Sequence, residues 1–81
     1  MIEMVLAAQP DILNEVKLTL MSGIDRKLRA LYPSQLAAEE ALDVTQPRLS
    51  AMRNGAVDQF SIPWLLLLAQ RIGAKVTFSI E

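Results

Sequence analysis

The 81-residue chain contains no cysteine and no histidine, and these absences remove most of the chemistry that small enzymes and metalloproteins use. Without cysteine there is no disulfide framework, no thiolate metal site and no thiol nucleophile. Without histidine the commonest general base and zinc ligand is missing as well. The nine acidic residues are scattered and form no recognisable carboxylate pair. We therefore expect no enzyme, no cofactor and no metal site.

Aromatic residues and long apolar runs are also scarce. Only 5% of the residues are aromatic, whereas 52% are hydrophobic and mostly aliphatic, which favours packed helices over a sheet sandwich. The longest apolar run, residues 62–69, is far shorter than the about 20 residues that a membrane span needs. The N-terminus has no basic segment followed by a long apolar stretch, so no signal peptide is expected. The expectation is a cytoplasmic protein with no membrane partner.

The charge is close to balanced, which is unusual for a nucleic-acid-binding module. The net charge is −1 and the isoelectric point is near 5.3, whereas many such modules are strongly basic. Residues 44–57 nevertheless contain Arg48 and Arg53 and no acid. A second basic cluster, residues 26–29, is interpreted as the C-terminal end of a helix complementing its dipole. Acidic residues lie between the two clusters, at positions 39–43.

Hydrophobic periodicity and capping signals predict one small domain of four, or at most five, helices. Residues 1–9 have no clear period and could form a helical extension, a strand or a frayed arm. A helix capped by Asp11 then runs to Tyr32-Pro33, where proline ends it. Its apolar stripe is Leu13, Val16, Leu20, Ile24, Leu28 and Leu31, widened by Leu18 and Met21. At this size a lone core is only marginally stable, which favours oligomerisation.

The end of the chain predicts a further helix and a strand. Ser61 caps the helix and Gly73 ends it, and residues 64–69 within it are apolar on all sides. In residues 74–81 apolar and polar residues alternate, which is typical of a strand. One strand alone is not stable and no other segment is an obvious partner, so we expect it to pair with its own copy across a two-fold axis. A stray hairpin within a monomer is the alternative. The predicted dimer interface is Trp64, Leu67, Val76, Phe78 and Ile80.

Residues 34–55 read as two short helices separated by a tight turn. Ser34 caps the first helix, with Leu36, Ala37, Ala41 and Leu42 available to the core, and Asp43 is expected to be left-handed at the turn. Thr45 caps the second helix, Pro47 lies in its first turn, and Asn54-Gly55 ends it. Val44 and Leu49 can form a hydrophobic staple. Leu49 and Met52 then face inward, and the positions left for solvent or a ligand are Arg48, Ser50, Ala51 and Arg53.

This segment resembles the helix-turn-helix of phage-repressor-like (Xre-type) regulators, and most of all the small antitoxin-like regulators of HigA type. The resemblance covers about Pro33 to Glu81. The matching positions are Gln35, Ala38, Val44, Thr45, Gln46, Pro47, Arg48, Ser50, Asn54, Gly55, Phe60, Ser61 and Gly73. Two positions depart from the family pattern: Asp43 replaces the turn glycine, and Ala56 replaces a commonly basic residue.

The resemblance implies a set of DNA contacts. Gln35 would contact a phosphate and brace Gln46, and Gln46 and Arg48 would pair with adenine and guanine, each worth about 1–3 kcal/mol of discrimination. Ala51 would lie against a thymine methyl group, and Arg53 and Asn54 would contact the backbone. The implied DNA-binding residues are Gln35, Thr45, Gln46, Pro47, Arg48, Ser50, Ala51, Arg53 and Asn54.

The fold that follows is a mostly α, repressor-like helix-turn-helix bundle with a short C-terminal strand that pairs in a homodimer. Its parts are residues 1–32, an N-terminal extension and first helix; 34–55, the helix-turn-helix; 61–73, a core and dimer helix; and 74–81, the strand. The implied function is sequence-specific binding of a palindromic operator and transcriptional repression, as the antitoxin of a toxin–antitoxin operon. The toxin comes from the resemblance only, and residues 1–31 are its candidate surface. The alternative is a protein-interaction module that has lost DNA binding, favoured by the acidic pI and Asp43.

Overall fold

Four α-helices carry the fold, and a two-stranded sheet joins the two ends of the chain. A computed structural model describes the backbone of residues 2–6 and 12–80, and the side chains of residues 12–79. The predicted helix start at Pro10 and its cap Asp11 lie outside the described residues. The elements are β1 Ile2–Leu6, α1 Ile12–Leu31, α2 Gln35–Leu42, α3 Gln46–Arg53, a 3₁₀ turn Val57–Gln59, α4 Ile62–Arg71 and β2 Val76–Ile80. No helix within the described residues is long and apolar enough to cross a membrane.

The long helix α1 lies at the centre of the core and packs against α3, α4 and strand β1. Its predicted apolar stripe is confirmed in the middle, where Val16, Leu20, Ile24 and Leu28 are buried. The two ends of the stripe, Leu13 and Leu31, are exposed. Met21 widens the buried face as expected, whereas Leu18 beside it is largely exposed.

Three of the predicted caps lie within the described residues, and two of them make a side-chain hydrogen bond. The Ser34 hydroxyl accepts a hydrogen bond from the Ala37 N–H at 3.1 Å, and the Ser61 hydroxyl accepts one from the Trp64 N–H at 3.2 Å. Thr45 holds the N-cap position of α3, but its side chain makes no capping hydrogen bond. The predicted cap position of Thr45 is therefore confirmed, but α3 begins without the stabilisation of a side-chain capping bond.

Helices α2, α3 and α4 all end in the same way, with a left-handed residue followed by a hydrogen bond across the last turn. The left-handed residues are Asp43 (φ 55°), Gly55 (φ 74°) and Gly73 (φ 75°). The N–H that follows each of them reaches back five residues, at 3.2, 3.0 and 2.9 Å. This is the Schellman arrangement, in which glycine is favoured. The left-handed conformation predicted for Asp43 is confirmed, so an L-residue stands where the other two helices use glycine.

Helix α2 buries only part of its predicted set of core residues. Leu42 is buried as predicted and Ala37 is half-buried, whereas Leu36 and Ala41 are exposed. Ala38, which was not predicted for the core, is buried. Residues 38 and 42 are four apart and share one side of the helix, so they form a narrow contact face. An eight-residue helix can bury only such a narrow face, and its orientation against α3 decides which one.

The C-terminal strand has a partner within its own chain. Strand β1 pairs with β2 in parallel, with Ile2 level with Val76 and Met4 level with Phe78. The expectation that no other segment could pair with this strand is therefore wrong, and residues 2–6 take the strand alternative. Parallel strands need a long crossover connection, and helices α1 to α4 supply it. Among the described residues the sheet has two strands, so β2 keeps a second edge, and pairing with another copy stays a prediction.

Candidate nucleic-acid interface

The α2–turn–α3 unit is fixed from both sides of its turn. Val44 and Leu49, the predicted staple pair, are both buried in the common core. From the other side, Arg71 of α4 donates a hydrogen bond from Nη2 to the Leu42 carbonyl at 3.1 Å. That carbonyl lies at the end of α2, where backbone acceptors lack a partner within the helix. The angle between α2 and α3 is thus set by the core and by α4 together.

The start of α3 is the most exposed polar part of this unit. Thr45, Gln46 and Pro47 are all exposed, and Pro47 lies in the first turn as predicted. Because the Thr45 hydroxyl does not cap the helix, its oxygen is available to a ligand. The Gln46 amide can both donate and accept, which suits it to the edge of a base.

Arg48 has a neighbourhood that the sequence did not reveal. Its guanidinium carbon lies 5.0 Å from the centre of the Phe60 ring and 4.6 Å from that of Trp64. The two rings are 5.4 Å apart and tilted by 38°, so they form a notch in which the guanidinium rests. Cation–π contact attracts the cation to the ring face and restricts its rotation. The N–H groups at the rim of a stacked guanidinium remain able to donate to a base or phosphate.

Ala51 does not lie on the exposed face of α3. It is buried in the core with Leu49 and Met52, so the prediction that it is left for solvent or a ligand is wrong. Three inward-facing residues in an eight-residue helix leave a narrow outer face. Ser50 on the neighbouring position is half-buried.

A cleft of about 250 Å³ lies between the second half of α1, the start of α2 and the end of α3. Gln35 and Arg53, both predicted contacts, line it together with Arg29. The structure thus brings two predicted residues into one place, but no hydrogen bond between Gln35 and Gln46 occurs among the described residues. Asn54 is exposed beyond the end of α3.

The acidic residues of the helix-turn-helix lie beside its turn. Glu39, Glu40 and Asp43 line an open groove of about 310 Å³ together with Thr45. DNA placed against α3 therefore has negative charge close to one edge of the interface. The positive charge lies on the other sides, at Arg48 and at the cleft of Arg29 and Arg53. Within the described residues no group of acids could hold a metal ion.

The residues predicted for a dimer interface fall into two sets. Leu67 is 61% exposed and Phe78 is 51% exposed, so both are accessible to another chain. Trp64 and Val76 are half-buried within the chain, Trp64 against Arg48 and Val76 against the core. The side chain of Ile80 lies outside the described residues.

Comparison with known proteins gives one finding that covers nearly the whole chain. A family model described as a helix-turn-helix domain matches residues 5–81. The match includes α1 to α4 and β2, and therefore the complete α2–turn–α3 unit. Comparison with curated proteins found no match, and comparison with solved structures found none either.

Proposed function

The chain belongs to a family of helix-turn-helix domains, and we propose on that premise that it is a sequence-specific DNA-binding repressor. Family membership supports a DNA-binding regulator. The observation that carries the finer proposal is the start of α3, where exposed Gln46 stands two residues from an Arg48 held by aromatic rings. In helix-turn-helix proteins the first residues of the second helix reach base edges in the major groove.

Five of the predicted contact residues have roles that fit their chemistry. Gln46 pairs with an adenine, to which its amide offers one donor and one acceptor. Arg48 donates to the O6 and N7 acceptors of a guanine. Thr45, Ser50 and Asn54 offer hydroxyl and amide groups to the phosphates and sugars, which fix the register but carry no sequence information.

The aromatic notch gives Arg48 a defined orientation before DNA arrives. An arginine that is already oriented loses less conformational freedom on binding, so the contact is stronger. We expect Trp64→Leu to lower affinity for the preferred site several-fold, whereas Trp64→Phe keeps a ring and much of the effect. Trp64 is the only tryptophan, so its fluorescence should change when Arg48 engages a base. Equal losses in the Leu and Phe variants would show that ring contact is not what matters.

Palindromic recognition requires a homodimer, whose two α3 helices would enter successive major grooves about 34 Å apart. The exposed Leu67 and Phe78 support an interface at α4 and β2. We expect Leu67→Glu and Phe78→Glu to give monomers in analytical ultracentrifugation, because each would place a charge in the contact. Leu13→Glu, on an exposed leucine of α1, is the matched control. A dimer that survives both changes would require an interface elsewhere.

An antitoxin role extends the proposal to a protein partner. It comes from the resemblance to HigA-type regulators, and the exposed leucines of α1, Leu13, Leu18 and Leu31, supply an apolar surface for a toxin. The neighbouring reading frame provides the test. The protein it encodes should co-purify with this chain when the two are expressed together, and it should be toxic when it is expressed alone. A neighbour that does not bind, or is harmless, would remove the toxin from the proposal.

A protein-interaction module without DNA binding is the competing function, favoured by the acids at Glu39, Glu40 and Asp43. Random-site selection with purified protein, at two salt concentrations, separates the two. The repressor predicts an enriched inverted repeat whose binding is weakened strongly by Arg48→Ala and little by Arg26→Ala. No enriched motif, or binding that is indifferent to Arg48→Ala, would favour the interaction module.

A further inference from the structure

Asp25 joins two arginines from different helices at the edge of the proposed DNA interface. Its Oδ2 lies 3.1 Å from Nε of Arg29, one turn further along α1, and its Oδ1 lies 3.6 Å from Nε of Arg53, at the end of α3. Each arginine therefore meets a different oxygen of one carboxylate. The Asp25 side chain is only 20% exposed, whereas those of Arg29 and Arg53 are 61% and 43% exposed.

This geometry leaves donors of both arginines accessible to a ligand. A guanidinium carries five N–H groups, and its two terminal nitrogens hold four of them. Both ion pairs are made through Nε, and both arginine side chains stay substantially exposed. Two arginines and one aspartate sum to a charge of +1. The cluster is therefore a preoriented pair of donors with a net positive charge.

From this we propose that Arg29 and Arg53, bridged by Asp25, form a clamp for a phosphate of the DNA backbone. The clamp rests on the proposed DNA-binding function and adds Arg29 to the interface. Both arginines line the 250 Å³ cleft, and Gln35 at the start of α2 lines it as well. Paired guanidinium groups match the oxygens of a phosphate. Backbone phosphates take the larger share of protein–DNA hydrogen bonds, and such contacts fix how the protein is seated.

The cleft also distinguishes Arg29 from its basic neighbours. Arg26 and Lys27 lie in the same cluster of the sequence, but neither lines the cleft. A general attraction between basic residues and DNA would make the three cations nearly equivalent. A clamp makes Arg29 special, because only its guanidinium is held beside Arg53. Arg26→Ala is therefore a control with the same charge change three residues away.

The salt dependence of DNA binding measures the number of phosphate contacts directly. Each contact that is lost lowers the slope of log K against log salt by about 0.9. Between 50 and 200 mM salt the affinity of Arg29→Ala should therefore fall about 3.5-fold less than that of the unaltered protein. Arg26→Ala should keep the slope of the unaltered protein. If Arg29→Ala and Arg26→Ala had the same salt slope, whether both lowered it or both kept it, the clamp would be overturned. Thermal unfolding of both variants checks that the fold is intact.

Asp25→Ala provides a second test, because the clamp and the change in net charge predict opposite effects on DNA affinity. Removing an acid raises the net charge by one, so electrostatics alone predicts tighter binding to every DNA. The clamp predicts weaker binding to the selected site, because both arginines lose their common anchor. Tighter binding to the selected site would contradict the clamp.

Inorganic phosphate separates the phosphate group itself from the DNA that carries it. NMR signals of the Arg29 and Arg53 Nε–H groups should shift together when duplex DNA is added, and their joint shift with millimolar inorganic phosphate would support a phosphate site of its own. A joint shift with DNA alone supports the clamp as a backbone contact. Signals that respond to neither, in a protein that still binds its selected site, would overturn the clamp while leaving the proposed function standing.

Discussion

Replacing Asp43 with glycine should stabilise the protein, because Asp43 adopts a backbone conformation that costs energy for an L-residue. Its φ of 55° and ψ of 45° lie in the left-handed region. At the matching points of α3 and α4 the chain uses Gly55 and Gly73, with φ of 74° and 75°. The three turns share the same hydrogen bond across the last turn, so the substitution preserves the local geometry.

The size of the effect is the difference between two backbone terms. The left-handed conformation costs an L-residue about 1–2 kcal/mol, and less for aspartate, whose short side chain tolerates it. Glycine gives the unfolded chain more freedom, which offsets about 0.4–1 kcal/mol of the gain. A net stabilisation of about 0.5 kcal/mol for Asp43→Gly follows, which corresponds to a rise in Tm of about 2–4 °C for a domain of this size.

The same substitution removes a negative charge beside the proposed DNA interface, and Asp43→Asn separates this effect from the backbone effect. Asparagine tolerates the left-handed region as aspartate does, but it carries no charge. Both variants should bind DNA about twofold more tightly at low salt, as expected for removing one exposed charge about 8 Å from a phosphate. The gain should disappear at high salt, where such charges are screened.

Thermal unfolding and DNA binding of the three proteins, at two salt concentrations, check the reasoning. The expected order of Tm is Asp43→Gly above Asp43→Asn and the unaltered chain, which should be close to each other. The expected affinities at low salt place both variants above the unaltered chain. If Asp43→Gly were no more stable than Asp43→Asn, the idea that residue 43 carries backbone strain would be refuted.

Two further pairs of substitutions test the helix ends. Ser34→Ala should lower the free energy of unfolding by about 1 kcal/mol, whereas Thr45→Ala should change it little, because the Ser34 hydroxyl makes a capping bond and the Thr45 hydroxyl does not. Urea unfolding measures both, and equal losses would contradict the cap assignment. Gly55→Ala and Gly73→Ala should each cost about 1 kcal/mol or more, since both have positive φ. Gly55→Ala should cost more in the same assay, because its Cβ would lie 3.3 Å from Leu18 Cδ2, whereas a Cβ at residue 73 would contact nothing. A smaller loss of unfolding free energy at residue 55 than at residue 73 would contradict this packing.

The features that the sequence predicted well depend on short stretches of chain. Ser34 and Ser61 as caps, Asp43 as the left-handed turn residue and Gly73 as the helix end all follow from the preferences of single residues. The α2–turn–α3 unit was predictable for the same reason, since its signals lie within 22 consecutive positions, 34–55. Local preference decides these points before any tertiary packing does.

The features that could not be predicted from the sequence depend on contacts between distant segments. Strand β1 lacks a clear period, and its pairing with β2 joins opposite ends of the chain. The burial of Ala51 and the exposure of Leu36 depend on how two eight-residue helices are rotated against each other, which periodicity in so short a segment does not determine. The stacking of Arg48 on Trp64 likewise requires the turn after α3 to bring α4 alongside.

The Asp25 bridge shows the same limit for charged residues. Asp25 and Arg53 are separated by the last six residues of α1, by α2 and by most of α3, so no spacing rule connects them. The i, i+4 pair of Asp25 and Arg29 could have been found from the sequence, because residues four apart share one face of a helix. That pair alone, however, would have indicated only an exposed ion pair on α1.

Measuring binding to the selected operator and to each of its single base-pair variants tests most directly whether α3 reads DNA sequence. For the unaltered protein we expect each critical base pair to contribute about 1–3 kcal/mol, or roughly 5- to 150-fold in affinity. Gln46→Ala should abolish discrimination at one position of each half-site, and Arg48→Ala at a different one, while Arg26→Ala leaves the profile unchanged. A profile that stays the same in both α3 variants, or that weakens uniformly at every position, would contradict base recognition by Gln46 and Arg48.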